Sequence, residues 1–226
     1  MPGPDLIVRQ LGVLDYVPVW RGMQMFTRAR GNSDGDELWI LQHRPVFTLG
    51  QAGRREHIHG DTAGIPIIKV DRGGQVTYHG PGQVIVYTLI DLRRRKLAVR
   101  GLVTSLEQAT ITLLANLGIA ATARAGAPGV YVGERKIAAL GLRVSAGRSY
   151  HGLSLNVAMD LAPFALIDPC GYRGLQVTQL SELGITLGVE RLGRMLSDEL
   201  LAQLGYNSHT STKQLPDALR RHEQGV

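Results

Sequence analysis

The chain has 226 residues, 44% of them hydrophobic and 19% charged, with a formal charge of +6 and one cysteine. No stretch approaches the roughly 18 to 20 uninterrupted apolar residues of a membrane span. The start Met1-Pro2-Gly3-Pro4-Asp5 has neither the basic nor the apolar segment of a secretory signal, and a lone cysteine excludes an internal disulfide and a zinc framework. These features lead us to expect a cytoplasmic protein that is neither exported nor membrane-bound, with a single domain over residues 1–226 and no metal.

In chain order, Leu6-Ile7-Val8 reads as a strand, 15–30 as an amphipathic helix and Glu37-Leu38-Trp39-Ile40-Leu41 as a second strand. Clusters of β-branched residues predict further strands over 65–70 and 84–92. A helix is expected over 102–117, with Gly118 placed to end it. From 121 to 157, short apolar runs alternate with glycines, which predicts an antiparallel meander. Apolar residues at Val189, Leu192, Leu196, Leu200 and Leu204 predict a last helix over 188–204. The polar segment 208–226 is expected to be a loose tail. The sum is an α+β fold with a mixed, largely antiparallel sheet covered by helices.

The positive charge suggests an acidic partner, and its densest run is Arg93-Arg94-Arg95-Lys96. Aromatic residues make up only 5% and are not interleaved with that run, which argues against nucleic acid. The segment from Asp71 to Gln83 concentrates glycines among Arg72, Thr77, Tyr78 and His79. Glycine lets a backbone approach a ligand, and Arg72 and His79 are placed to orient or polarise a carbonyl. Two tight turns around a short strand would explain the same residues. The segment fits neither the dinucleotide nor the P-loop spacing. His57 and His59 would give a metal only two ligands.

Cys170 stands between Pro169 and Gly171, a turn setting that exposes a thiol. A nucleophilic thiol needs a neighbouring cation or base, because its ordinary pKa of about 8.5 leaves it mostly protonated at neutral pH. His79, His151, Arg135, Arg173 and Lys136 are the candidates. Four of the 25 basic residues are lysines, leaving 21 arginines, so Lys136 stands out in a chain that otherwise uses arginine. An ammonium can also give up its proton when desolvated, which a guanidinium does not. An ordinary edge-strand lysine is the alternative.

Three segments together resemble the lipoyl(octanoyl) transferase family: 72–82, Gly133-Glu134-Arg135-Lys136-Ile137-Ala138, and Pro169-Cys170-Gly171, with His151-Gly152 and Ser154-Leu155-Asn156 between the last two. The resemblance implies a fold shared with the catalytic domains of biotin and lipoate protein ligases. It implies transfer of an octanoyl or lipoyl group from acyl carrier protein, through a thioester on Cys170, to a lysine ε-amine of lipoyl domains, the first step of protein lipoylation. Lys136 would activate the thiol. Arg72, Gly73, Gly74, Gln75, Val76, Thr77, Tyr78 and His79 would line the substrate site with Ala139, Leu140, Gly141, Gly152, Leu153 and Ser154. No cofactor is implied, since thioester to amide runs downhill without ATP. The rivals are an ATP-dependent ligase or amidotransferase on the same fold, and a noncatalytic binding module.

Overall fold

The computed structural model of the chain describes residues 6–31, 33–168 and 174–223. The strands are β1 (Leu6–Leu14), β2 (Glu37–His43), β3 (Val46–Leu49), β4 (Ile67–Lys69), β5 (Val76–His79), β6 (Gln83–Leu89), β7 (Thr122–Ala123), β8 (Gly129–Val132), β9 (Arg135–Ser145), β10 (Arg148–Asn156) and β11 (His209–Thr212). The helices are α1 (Tyr16–Ala29), α2 (Val99–Asn116), α3 (Val189–Leu204) and α4 (Asp217–Glu223).

Eight strands form one sheet in the order β11-β1-β2-β6-β10-β9-β8-β7, and β4-β3-β5 form a second. In the large sheet β1 pairs in parallel with β11 and β2, and the remaining pairs are antiparallel. The expected mixed, largely antiparallel architecture is therefore correct. Strand alternation separates two cores. Val84 and Val86 of β6 and Leu153 and Leu155 of β10 pack with Leu102, Leu106 and Leu113 of α2 and Leu192, Leu196 and Leu200 of α3. Ile85, Tyr87 and Leu89 face the other way, toward Val19 and Met23 of α1.

The tail corrects the expectation of looseness. Residues 209–212 pair in register with Leu6 to Arg9, and Leu219 of α4 is 4% exposed. Gly22 of α1 makes room for it, since a Cβ there would meet the Leu219 side chain. Among the described residues no helix is long and apolar enough to cross a membrane.

Candidate active site

A cavity lies between the α1-side face of the large sheet and the segment 72–79. Its floor is made of small residues in two neighbouring rows, where Gly152 pairs with Gly141 and Ser154 with Ala139. Across β10, Tyr87 and Ile85 stand opposite Gly152 and Ser154 as a wall, and Leu140 and Leu153 border the space from β9 and β10. At Gly141 a Cβ would come within 3.1 Å of both the Arg72 side chain and the Gly73 carbonyl, so the glycine-rich segment can descend onto the sheet only over a residue without a side chain.

The Arg72 guanidinium holds that segment in shape. It donates to the carbonyls of Thr48 (2.8 Å), Gln75 (2.8 Å) and Gly73 (2.9 Å), and to the Thr48 hydroxyl. Arg72 borders the cavity together with Gly74, Gln75 and Val76, but its hydrogen bonds make it a clamp on the loop rather than a polariser of substrate. Along β5, Thr77 and His79 reach the cavity. Tyr78 turns away into an apolar cluster with Phe47 and Phe164. Gly73 donates its N–H to the Leu142 carbonyl at 2.8 Å and lies outside the cavity lining. Tyr78 and Gly73 were both expected at the site, and alternation and this backbone pairing explain their absence from it.

Lys136 is 4% exposed and lines the same cavity. A β-bulge puts it there. Val130 pairs with Ala138 but Tyr131 pairs with Lys136, so Ile137 is an extra residue in β9. Ile137 and Ala138 both pack into the α2-side core, and Lys136 emerges on the opposite face with Ala139 and Gly141. Such a bulge re-aims a side chain at the cost of one ladder position. The ammonium donates to the Pro128 carbonyl at 3.2 Å and lies 5.2 Å from the Tyr131 ring centroid. A Cβ on Gly129 would lie 3.0 Å from the Lys136 Cε, at a backbone φ of 147°.

The backbone of Lys136 also holds the chain that follows Cys170. Its N–H donates to the Gln176 carbonyl at 2.9 Å and its carbonyl accepts from Thr178 at 3.0 Å. The chain before the cysteine is held as well: Asp168 donates its N–H to the His57 carbonyl and accepts from His59 Nε2 at 2.8 Å. Cys170 and Arg173 lie outside the described residues.

Buried aromatic and imidazole side chains complete the wall. The Thr178 carbonyl accepts from the Asn156 amide, the Asn156 oxygen accepts from the Gln83 amide, and the Gln83 oxygen faces His79 Nδ1 at 2.8 Å. His79 therefore donates from Nδ1 and keeps its Nε2 lone pair. Burial, with help from His43, lowers its pKa to about 3. His43 donates from Nδ1 to the Leu14 carbonyl and accepts from the Tyr87 hydroxyl at 2.7 Å; burial lowers its pKa to about 4. Both rings are neutral at pH 7.

Asp71 ties this wall to α1. Its carboxylate accepts from Trp20 (2.8 Å), Gln24 (3.0 Å), Tyr150 (2.5 Å) and His151 Nε2 (2.9 Å). Burial pushes the Asp71 pKa up, but the four hydrogen bonds outweigh it and hold the carboxyl well below the usual carboxylate range. His151 sits in mid-strand at φ 61°, a left-handed conformation that its surroundings must enforce. Asp71→Ala leaves these donors without their acceptor and should cost about 3 kcal/mol, or roughly 6 to 12 °C in Tm for a chain of this size. Because the native pKa is depressed, the deficit should be full above about pH 4 and close as pH falls through the native value. Thermal denaturation of both proteins across pH checks this; a constant deficit down to pH 2 would contradict it.

Other expectations are redirected. Arg94 contacts the Asp36 carboxylate at 2.6 Å, and Arg95 donates to the Leu204 carbonyl and stacks on Tyr206 at 4.1 Å. The run at 93–96 is thus partly internal bracing. Arg135 faces Glu182 at 3.4 Å. His59 is paired with Asp168, and among the described residues no three His, Cys, Asp or Glu side chains group as metal ligands do. Tyr16, Ile85 and Tyr87 line the cavity without any local sequence signal; only the fold brings them to it.

Residues 15–201 match the family model of the lipoyl protein ligase A/B catalytic domain. The chain is 59% identical over 199 residues to an octanoyltransferase of Thiobacillus denitrificans, covering 88% of this chain and 91% of the relative. It is 56% identical over 210 residues to an octanoyltransferase of Xanthomonas campestris pv. campestris, covering 93% and 90%. The fold is similar to that of lipoate-protein ligase A bound with ATP, at TM-score 0.76 and 14% identity over 99% of this chain and 93% of that one. It is also similar to the biotin protein ligase of Aquifex aeolicus, at TM-score 0.57 and 14% identity over 89% and 70%. The chain belongs to the lipoyl protein ligase A/B catalytic domain family.

Proposed function

We propose that the chain is an octanoyltransferase that carries the acyl group on Cys170, with Lys136 as its activating partner. Octanoyl passes from acyl carrier protein to the ε-amine of a lysine in a lipoyl domain. The carrying observation is the placement of Lys136: buried, turned onto the cavity by a bulge, and bonded through its own backbone to the chain that follows Cys170.

In the first half-reaction the thiolate of Cys170 attacks the thioester carbonyl of the donor. The carbon–sulfur bond of the donor breaks, its thiol leaves with a proton, and a new thioester forms on the enzyme. A cation beside the sulfur raises its thiolate fraction. In the second half-reaction the lysine amine attacks that thioester, the amide forms, and the Cys170 thiolate is released as the amine loses a proton. His79 is a weak acceptor for it, because burial holds that imidazole at a pKa of about 3. Lys136 is the cavity residue suited to carry the proton between the halves. The small-residue floor and the Ile85 and Tyr87 wall suit an unbranched alkyl chain.

Incubation of the protein with octanoyl acyl carrier protein should add one octanoyl group, read by intact mass, which a lipoyl domain then removes. A protein that gains no mass but lipoylates from free acid and ATP would be a ligase, and the proposal would fail.

A further inference from the structure

Two surface depressions adjoin the reaction cavity and share its rim. One is a groove between Val99 and Val103 of α2 and residues 126–128 on one side, and Ala52 with 73–75 on the other. Its lining is largely apolar, and Val99 is 47% exposed at its edge. It starts where Lys136 ends, since Pro128, the acceptor of the Lys136 ammonium, is part of its wall. The second depression lies beyond Ala52 and Gln75, which it shares with the groove, and is polar, with Arg54, His57 and Lys69 around it. Gln75 borders the cavity, the groove and the basic pocket alike.

Two buried polar atoms on this path lack partners. The Oε1 of Gln75 and the Nδ1 of His57 are shielded from solvent and make no hydrogen bond. Buried polar groups in folded proteins are seldom left so. Gln75 lies at the junction of cavity and groove and His57 at the basic pocket, each with one unpaired polar atom that a rotation of its side chain would turn toward a ligand. Arg54 reaches Glu56 at 3.2 Å, with both side chains largely exposed, an ion pair that is worth little in water and is easily exchanged for another anion.

We propose that this path is the track of the donor's phosphopantetheine arm, an inference that rests on acyl carrier protein as donor. The acyl group occupies the cavity and the thioester lies at Lys136. The dimethyl and methylene portion follows the apolar groove, with an amide N–H donated to Gln75 Oε1. The phosphodiester sits among Arg54, His57 and Lys69. The order of chemistry along the arm, which is thioester, amide and alkyl, then phosphate, matches the order along the protein. Charge-assisted bonds from arginine and lysine to phosphate oxygens are the stronger class of hydrogen bond.

The test uses two small donors, octanoyl-4′-phosphopantetheine and octanoyl-pantetheine, which differ only in the phosphate. In the wild-type protein kcat/KM should favour the phosphorylated donor by about tenfold, the equivalent of about 1.4 kcal/mol. In Arg54→Ala/Lys69→Ala that ratio should fall to about one, and in Lys69→Ala alone it should lie between. A wild-type ratio of one, or a ratio that survives the double substitution, overturns the proposal. So does a variant whose only defect is a raised KM for the lipoyl domain, since the basic pocket would then serve the acceptor. Transfer from neither donor by the wild-type protein, while free acid plus ATP is used, would instead remove the reading on which the track rests.

Discussion

Lys136→Met should lower octanoyl transfer by about a thousandfold, the scale of a lost acid–base partner, while leaving the fold in place. The substitution keeps an unbranched side chain of similar reach in a site that is 4% exposed, so the bulge at Ile137 and the packing on Tyr131 have no reason to rearrange. Its structural cost includes the donor to the Pro128 carbonyl, about 1 kcal/mol. Lys136→Arg separates two roles. The guanidinium retains the positive charge but does not give up a proton, so on the proposed mechanism acylation of Cys170 should persist in part while transfer to lysine falls further. Intact mass after exposure to donor alone reads the first half, and mass of the lipoyl domain reads the second. Equal losses in both would mean that Lys136 serves through charge and shape only. The arginine must also pass Gly129, where a Cβ would already lie 3.2 Å from the lysine nitrogen; the ratio of the two half-reactions, unlike the overall rate, is insensitive to such crowding.

Lys136 also shows where a sequence stops being readable. Its rarity as a lysine marks it, yet strict alternation from Leu142 and Leu140 through Ala138 would send residue 136 into the α2-side core. The bulge reverses this, and nothing local in Arg135-Lys136-Ile137 announces a bulge. It is set by pairing with β8 and by the bridge from Lys136 to Val177, 41 positions along the chain. Ala139, Gly141, Gly152 and Ser154 sit within strands that their neighbours define, but it is the family resemblance, not the strand pattern, that marks them for the site. Tyr16 and Tyr87 are marked by neither, since their role depends on α1 crossing over β6, a contact between remote segments.

The glycine-rich segment does border the cavity, but Arg72 within it bonds the backbone of its own segment and of the neighbouring β3. Arg72 beside glycines suggests a carbonyl-orienting site, but here the carbonyls of Gly73, Gln75 and Thr48 need a donor, and the guanidinium supplies it. The same substitution of internal for external partners occurs at Arg94 and Arg95, whose targets, Asp36 and the end of α3, are distant in sequence. The tail was missed because 209–212 is a polar edge strand without apolar alternation, and α4 is anchored through Leu219 against a glycine of α1. Main-chain hydrogen bonds and one buried leucine hold it, and neither leaves a periodic signature.

On the proposed mechanism Cys170→Ala should abolish both the octanoyl adduct and the transfer, with a loss beyond about ten-thousandfold, because a reaction without its covalent nucleophile has only binding and polarisation left. Cys170→Ser discriminates further. At neutral pH a thiol near a cation supplies a useful fraction of thiolate, whereas an alcohol beside the same cation stays protonated. Any acylation of the serine should therefore be slow. It should also be a dead end: an oxygen ester resists amine attack more than a thioester does, so octanoyl would accumulate on the protein without reaching the lipoyl domain. The flanks of the segment are held by His57, His59 and the Lys136 backbone, and thermal denaturation of both variants checks that a lost activity is not a lost fold. A fully active serine variant would mean that the acyl group does not pass through residue 170, and Lys136 would then have to activate the acceptor amine directly.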